Sequence, residues 1–452
     1  MRPIPFALLA MALLNTTVLA QDAGKVLTGK DAFGSWKNDA PGVTRKLTIN
    51  DLEAPFVSKS VSNTAQPVPM KDGQLPKVPT GYKVELVAKG IDSPRAIRFA
   101  PNGDLFVANS DDGNVLVYRF EGEKPTPVKQ SVFAEKLNQP YGIAFYPADN
   151  PQWVYIAESD GLKRYPYKDG EMEAPKGNGP AGGAQTILDG IPSEHHWTRD
   201  VVFSPDGKTM YFSVGSGSNV GDGTMNKTPE GGLDKWIASQ PLGAAWGNEA
   251  GRAAVWSYTP DGKDGKIFAT GLRNCAGMTL QPATGNVWCV VNERDELGDN
   301  IPFEYATAVK QGAFYGWPWF YNGDHPDPRW SETPRDDLKG KVTVGDVLFQ
   351  AHSAPLNIAF ESGDGLGPDA KGDAFVAMHG SWNRNTRTGY KIVQLDFDAS
   401  GKPTGTYTDF VTGFVLNDND VWGRPVGVAF DKTGDLFFSD DGSGSIWKVS
   451  EQ

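Results

Sequence analysis

The sequence predicts an all-β chain folded as a six-bladed β-propeller of four-stranded antiparallel blades, closed by an N-terminal strand. Three observations carry this. One phrase recurs six times: a short apolar strand usually ending in Phe, a turn with Pro or Gly, then a second strand with aromatics. The 452-residue composition suits such a phrase, with 53 Gly and 33 Pro for turns and 13 Trp, 14 Tyr and 23 Phe for packing. Each copy also reads as a meander that is apolar on both faces. One small sheet cannot bury two faces alone, whereas six packed radially bury both and leave only short edges.

Residues 1–20 read as a signal peptide, with Arg2 in the n-region, an apolar stretch at 6–14 and Val18-Leu19-Ala20 as the cleavage site. That implies a periplasmic or secreted protein. The stretch is short for a bilayer, and no other segment is long and apolar enough to cross one, so no membrane span is expected. Residues 21–78 show no clear period and read as an extension packed on a larger body, followed by a linker-like approach. The propeller domain is predicted over 79–452. The strand at 82–88 has no preceding blade to join and is predicted to complete the last one, beside "GSIWKV". The six copies fall at 95–109, 141–158, 199–215, 276–292, 356–380 and 426–440, with third strands at 113–120, 253–260, 390–397 and 444–449. The largest insertion, at about 218–250, follows copy three. Such insertions gather where a propeller builds its site.

With 43 Lys and Arg against 55 Asp and Glu the formal net charge is −12, which repels phosphate backbones and excludes nucleic acid as the expected partner. Two cysteines cannot make a disulfide framework, a four-cysteine zinc site or an Fe–S cluster, and no CxxCH motif carries haem. Cys275 and Cys289 flank the hairpin of copy four, where a disulfide and two buried thiols fit equally well.

The polar residues that could carry chemistry stand where strands meet loops. "PSEHHWTRDVVF" brings His195 and His196 to the entrance of copy three, without a third ligand at zinc spacing. "GLRNCAGM" brings Arg273 and Asn274 to copy four, which runs out into the acidic turn of "VVNERDELGDNIPFE". Tyr315 and Trp317 read either as an aromatic wall or as core. "HGSWNRNTRTGY" offers Arg384 and Arg387; each alone reads as an ion pair, and the placement of such residues at one end of successive blades favours a site.

The motifs "GLRNCAGM", "VNERDELGDN", "YGWPW" and "HGSWNR", with "AFGSWKNDAPGVTRKLTINDL" in the extension, resemble the soluble pyrroloquinoline quinone (PQQ)-dependent sugar dehydrogenases of the glucose/sorbosone dehydrogenase family, in the L-sorbosone dehydrogenase-like branch. The resemblance implies PQQ and Ca²⁺ as cofactors, oxidation of a sugar or a related aldehyde or alcohol, and hydride transfer assisted by a His base. It implies His196 as that base, with His195 as the alternative, and Asp299 as its supporting carboxylate, because Ser216 stands where other members carry Asp. Arg273, Asn274, Glu293, Arg384 and Arg387 would contact the quinone, and main-chain carbonyls of Arg294 and Asp295 would hold calcium. The turn lacks the Gly-Pro of glucose-oxidising members, and "HSAPLNIAFESG" lacks their Lys. Electrons would leave to a separate cytochrome or quinone. Two other classes compete: a calcium-dependent lactonase-type hydrolase on the same fold, and a non-catalytic binding propeller.

Overall fold

The six repeats form six antiparallel sheets whose first strands, Pro94–Phe99, Ile143–Tyr146, Val201–Phe203, Cys275–Leu280, Pro355–Phe360 and Pro425–Phe430, line the axis of a six-bladed propeller. The computed structural model describes residues 25–122, 124–177, 183–223 and 228–452. The predicted signal peptide lies outside them. Third strands form at Asn114–Arg119, Ala254–Tyr258, Lys391–Phe397 and Ser445–Glu451, within two residues of the ends read from the repeats. Tyr82–Lys89 is the outer strand of blade six and pairs antiparallel with Ser445–Glu451, from Tyr82 opposite Glu451 to Lys89 opposite Ser445. No helix among the described residues is long and apolar enough to cross a membrane.

The aromatics of each phrase fill the wedge between neighbouring blades. Phe106, Phe133, Tyr165 and Tyr167 pack between blades one and two, Trp288, Phe360 and Phe397 between four and five, and Phe99, Phe120 and Phe437 between six and one. Those that are fully buried, such as Phe106 and Trp288, contribute about 1.5–3 kcal/mol each.

The extension is more ordered than its sequence period suggests. Val26–Thr28 and Thr44–Lys46 add two strands to the outer edge of blade five, and Gln66–Pro67 pairs with Asp420–Val421. A buried ionic quartet fastens it. Arg45 pairs with Asp39 (2.7 Å) and Asp409 (2.8 Å), and Lys391 pairs with the same two carboxylates (both 2.8 Å). The four charges cancel, which is the condition for burying them together.

Cys275 and Cys289 are joined in a disulfide across the first two strands of blade four. Alkylation of the denatured protein should therefore add no label without reductant and two labels after reduction, read by intact mass. Deleting residues 79–90 would leave Ser445–Glu451 as an open edge. Cooperative thermal unfolding should be lost; a single sharp melt near the parental temperature would show that this strand is dispensable.

Candidate active site

Every blade starts its innermost strand at the same face, and its second strand returns to that face. Strand entrances and second-strand exits from all six blades therefore meet around one mouth. Beneath it lies an apolar floor with one side chain from each blade: Ala96, Tyr141, Trp197, Ala276, Leu356 and Val426. Tyr141 and Trp197 pack edge to face at 6.2 Å, and the Tyr141 hydroxyl donates across the axis to the Leu356 carbonyl (2.7 Å). Further down, Arg98 of blade one spans the axis, donating to Asp200 of blade three (3.1 Å), Met278 O of blade four (3.2 Å) and Asn357 Oδ1 of blade five (3.2 Å). Three residue steps along the strand separate Arg95 at the rim from Arg98, about 10 Å. The site is thus a cup, open at one end.

His196 stands at this mouth on the approach to blade three. Its Nδ1 lies 3.0 Å from Ser216 O and 2.9 Å from Ser216 Oγ. The Ser216 hydroxyl donates its own proton to Ser218 O (2.7 Å), so both Ser216 oxygens act as acceptors toward the ring. Nδ1 therefore carries the proton and Nε2 presents a lone pair, a tautomer assigned by the network. Burial first, then the charge of Arg273, holds the His196 pKa well below the ordinary value of 6.5, so the ring is neutral at pH 7. Gly215 lets the ring approach: a Cβ there would lie 2.7 Å from His196 Cβ and 2.6 Å from Asn274 Oδ1. Arg199 Nη1 grips the His196 carbonyl at 2.8 Å. His195 is the exposed neighbour, with φ +67° and no such anchor on its ring.

Arg273 is the hub of the next wall. It donates to Glu293 O (2.8 Å) and to both Asn219 oxygens (3.1 and 3.0 Å), binding the insertion of blade three to the acidic turn of blade four. Asn274 donates to Asn292 Oδ1, but its own buried Oδ1 has no partner, nor has Glu293 Oε1. Burial pushes the Glu293 carboxyl up to about 7, against the pull of Arg273. Asp295 sits between His352 Nδ1 (3.4 Å) and Arg273 (3.6 Å).

Several expected residues stand elsewhere or do other work. Asp299 makes no contact with the imidazole; its carboxylate accepts from Asn385 N (3.0 Å), and Ser216 stands at the ring instead. Arg384 is buried, with its donors on Phe33 O, Gly34 O, Asp299 O, Thr386 O and Asn300 Oδ1. Arg387 is fully buried, its Nη atoms on Asn63, Thr64, Ser381, Asn419 and Tyr390. Both fasten the N-terminal extension and have no terminal donor facing the mouth. Arg294 ion-pairs with Asp327 (3.0 Å), and the Asp295 carbonyl already accepts from Arg294 Nε (2.6 Å) and Asn219 Nδ2 (3.4 Å). Tyr315 is core, stacked on Tyr305 with its hydroxyl on Ala308 O, and Trp317 is buried with its indole N–H on Asn219 O.

The sequence reading missed the cations that do reach the mouth. Arg95 of blade one and Arg424 of blade six both ion-pair with Asp441, whose carboxylate also meets His379 Nε2 at 3.0 Å. Burial raises the Asp441 pKa, but His379 and the two arginines outweigh it and hold the carboxyl well below its usual range. The Arg95 guanidinium lies over Trp197 at 5.4 Å, and the Arg424 side chain is 30% exposed. A signal existed: Arg95 opens copy one and Arg424 stands two residues before copy six, both at an innermost-strand entrance.

Comparison with known proteins agrees with this architecture. A family model described as TrAA12-like matches residues 76–311 and 330–452. A PQQ-dependent sugar dehydrogenase of Hypocrea jecorina is 24% identical over 457 residues, covering 88% of this chain and 96% of that protein. A PQQ-dependent pyranose dehydrogenase of Coprinopsis cinerea is 24% identical over 423 residues; the match takes in 82% of this chain but only 54% of the relative, so the chain spans about half of that protein. The holo PQQ domain of the Coprinopsis cinerea pyranose dehydrogenase superposes with a TM-score of 0.66 at 22% identity, over 86% of this chain and 100% of that one. With the family model running over most of its length, the chain belongs to the TrAA12-like family.

Proposed function

We propose that this chain is a PQQ-dependent sugar dehydrogenase with His196 as general base. The observation that carries the reading is the cup itself: an apolar floor from six blades, rimmed by Arg95, Arg424 and Arg273, with the His196 lone pair at its edge. The names of the Hypocrea and Coprinopsis relatives support it.

The residues present fit the quinone. Its flat ring system would rest on Trp197, the partly exposed member of the apolar layer that Tyr141 and Leu356 support from within. Arg95 and Arg424 would hold carboxylates, and the unpartnered Asn274 Oδ1 and Glu293 Oε1 are the buried polar atoms a ligand would satisfy. Bound PQQ supplies the hydride acceptor. The chain supplies the rest. His196 Nε2 takes the hydroxyl proton of the substrate as its carbon is oxidised, and Ser216 O and Oγ hold Nδ1–H and steady the imidazolium. Burial, aided by the charge of Arg273, keeps the ring neutral beforehand.

Calcium on the Arg294 and Asp295 carbonyls does not fit, because the Asp295 oxygen is engaged by two donors. The reading therefore takes no step through calcium. A cytochrome or quinone is the electron carrier this reading requires, and a periplasmic or secreted location agrees with the disulfide.

His196→Ala should lower kcat by roughly 10²–10⁴-fold with PQQ still bound. His195→Ala should change it little; the reverse pattern would move the base by one residue. Because the His196 pKa is depressed, the imidazole stays unprotonated to lower pH, so the acid limb of kcat/KM should have its midpoint below 6.5. Arg424→Ala should weaken PQQ binding by on the order of tenfold or more, the scale of one hydrogen bond to a charged group, as read by quenching of protein fluorescence.

A further inference from the structure

The region matched by the family model begins at residue 76, yet the arm before it reaches the site. Three of its residues touch the far half of the blade-four turn. Phe56 N donates to Leu297 O (2.7 Å), Asp299 N donates to Ser58 Oγ (2.7 Å), and Asn300 Nδ2 donates to Glu53 Oε2 (3.1 Å). Arg384 makes the same link from below, with Nη atoms on Phe33 O and Gly34 O of the arm and further donors on Asp299 O and Asn300 Oδ1 of the turn.

The fit is close and locally strained. Gly298, at φ +137°, leaves room for Ser58, whose Oγ would lie 3.2 Å from a Cβ there. Phe56 holds φ +66° while its side chain stays 64% exposed. An ordinary residue takes that conformation only when something else fixes it, and burial of the ring does not. The backbone bond to Leu297 does. Glu296, also left-handed at φ +71°, is held by Asn383, which in turn donates to Val61 O of the arm. The near half of the same turn carries Glu293 and Asp295 into the cup.

We infer that the arm is a brace for the active-site turn, with Ser58 and Arg384 as positioning residues that set where Glu293 and Asp295 stand. The part concerning the cofactor rests on the function proposed above. The brace is tested in the full chain with Ser58→Ala, which removes one acceptor, and Arg384→Gln, which cuts the shared link. Thr44→Ala is the control, since Thr44 bonds Thr408 on the outer edge of blade five. Amide hydrogen exchange of residues 295–300, measured without cofactor, should speed up in Ser58→Ala and Arg384→Gln but not in Thr44→Ala. PQQ affinity, measured well below the melting temperature, should fall roughly three- to tenfold in Ser58→Ala, the scale of one net hydrogen bond. Should Arg384→Gln fail to fold, Ser58→Ala decides alone. Unchanged exchange at 295–300 overturns the brace, and so does faster exchange with parental PQQ affinity. Faster exchange in a chain whose parent binds no PQQ keeps the brace and sinks the cofactor reading instead.

Discussion

Arg98 lies across the propeller axis, and much of the site depends on it. A ring of sheets has a hole at its centre, and a hole lined by strand ends offers nothing for a ligand to rest on. Here one guanidinium from blade one reaches blades three, four and five, and Asp200 answers it from a fully buried position while also accepting from Met278 N at 2.8 Å. Burial raises the Asp200 pKa and Arg98 opposes the rise, so each charge is tolerated because of the other. With the channel plugged, the apolar cluster above packs as a buried layer, and Trp197 is its partly exposed member. Asp200 also follows His196 by four residues, so the plug and the imidazole at the mouth share one short segment.

Around that floor, neighbouring walls are held by arginines that bond main chain. Arg252 donates to Gly215 O and Ser216 O, Arg199 to His196 O, and Arg273 to Glu293 O. A planar group with five donors can fix several carbonyls of an irregular loop at once, which a sheet ladder cannot do. The walls are loops, yet these four carbonyls are hydrogen-bonded as those in the blades are.

This division explains what could be read from sequence. The blades were legible because their signal is local: alternating apolar runs with turn residues between them, repeated six times. The positions of His196 and of the Arg273-Asn274 pair at the mouth were legible because each sits in a contiguous motif beside a strand. Arg95, His379, Arg424 and Asp441 were not, since they are single residues on three blades and meet only after the ring closes. Arg384 and Arg387 misled for a related reason. Their chemistry suits an anion, but the acceptors they found include carbonyls of a segment more than 300 residues away. Asp299 failed likewise: nothing local to it shows that Ser216 supplies two oxygens to the imidazole.

The ionic quartet at the outer edge of blade five bears on how the chain comes to be folded. Arg45 and Asp409 are 364 residues apart, and the strand Tyr82–Lys89 waits for Ser445–Glu451. Arg45 and the strand Tyr82–Lys89 are thus made well before the partners they wait for. Until then the arm carries its charges in water and the strand shows an unpaired edge, the kind of surface that invites association between nascent chains. Contacts of such sequence separation are slow to form. Closing the ring joins residues as far apart as 364 positions, and until it closes an exposed strand edge is open to a wrong partner.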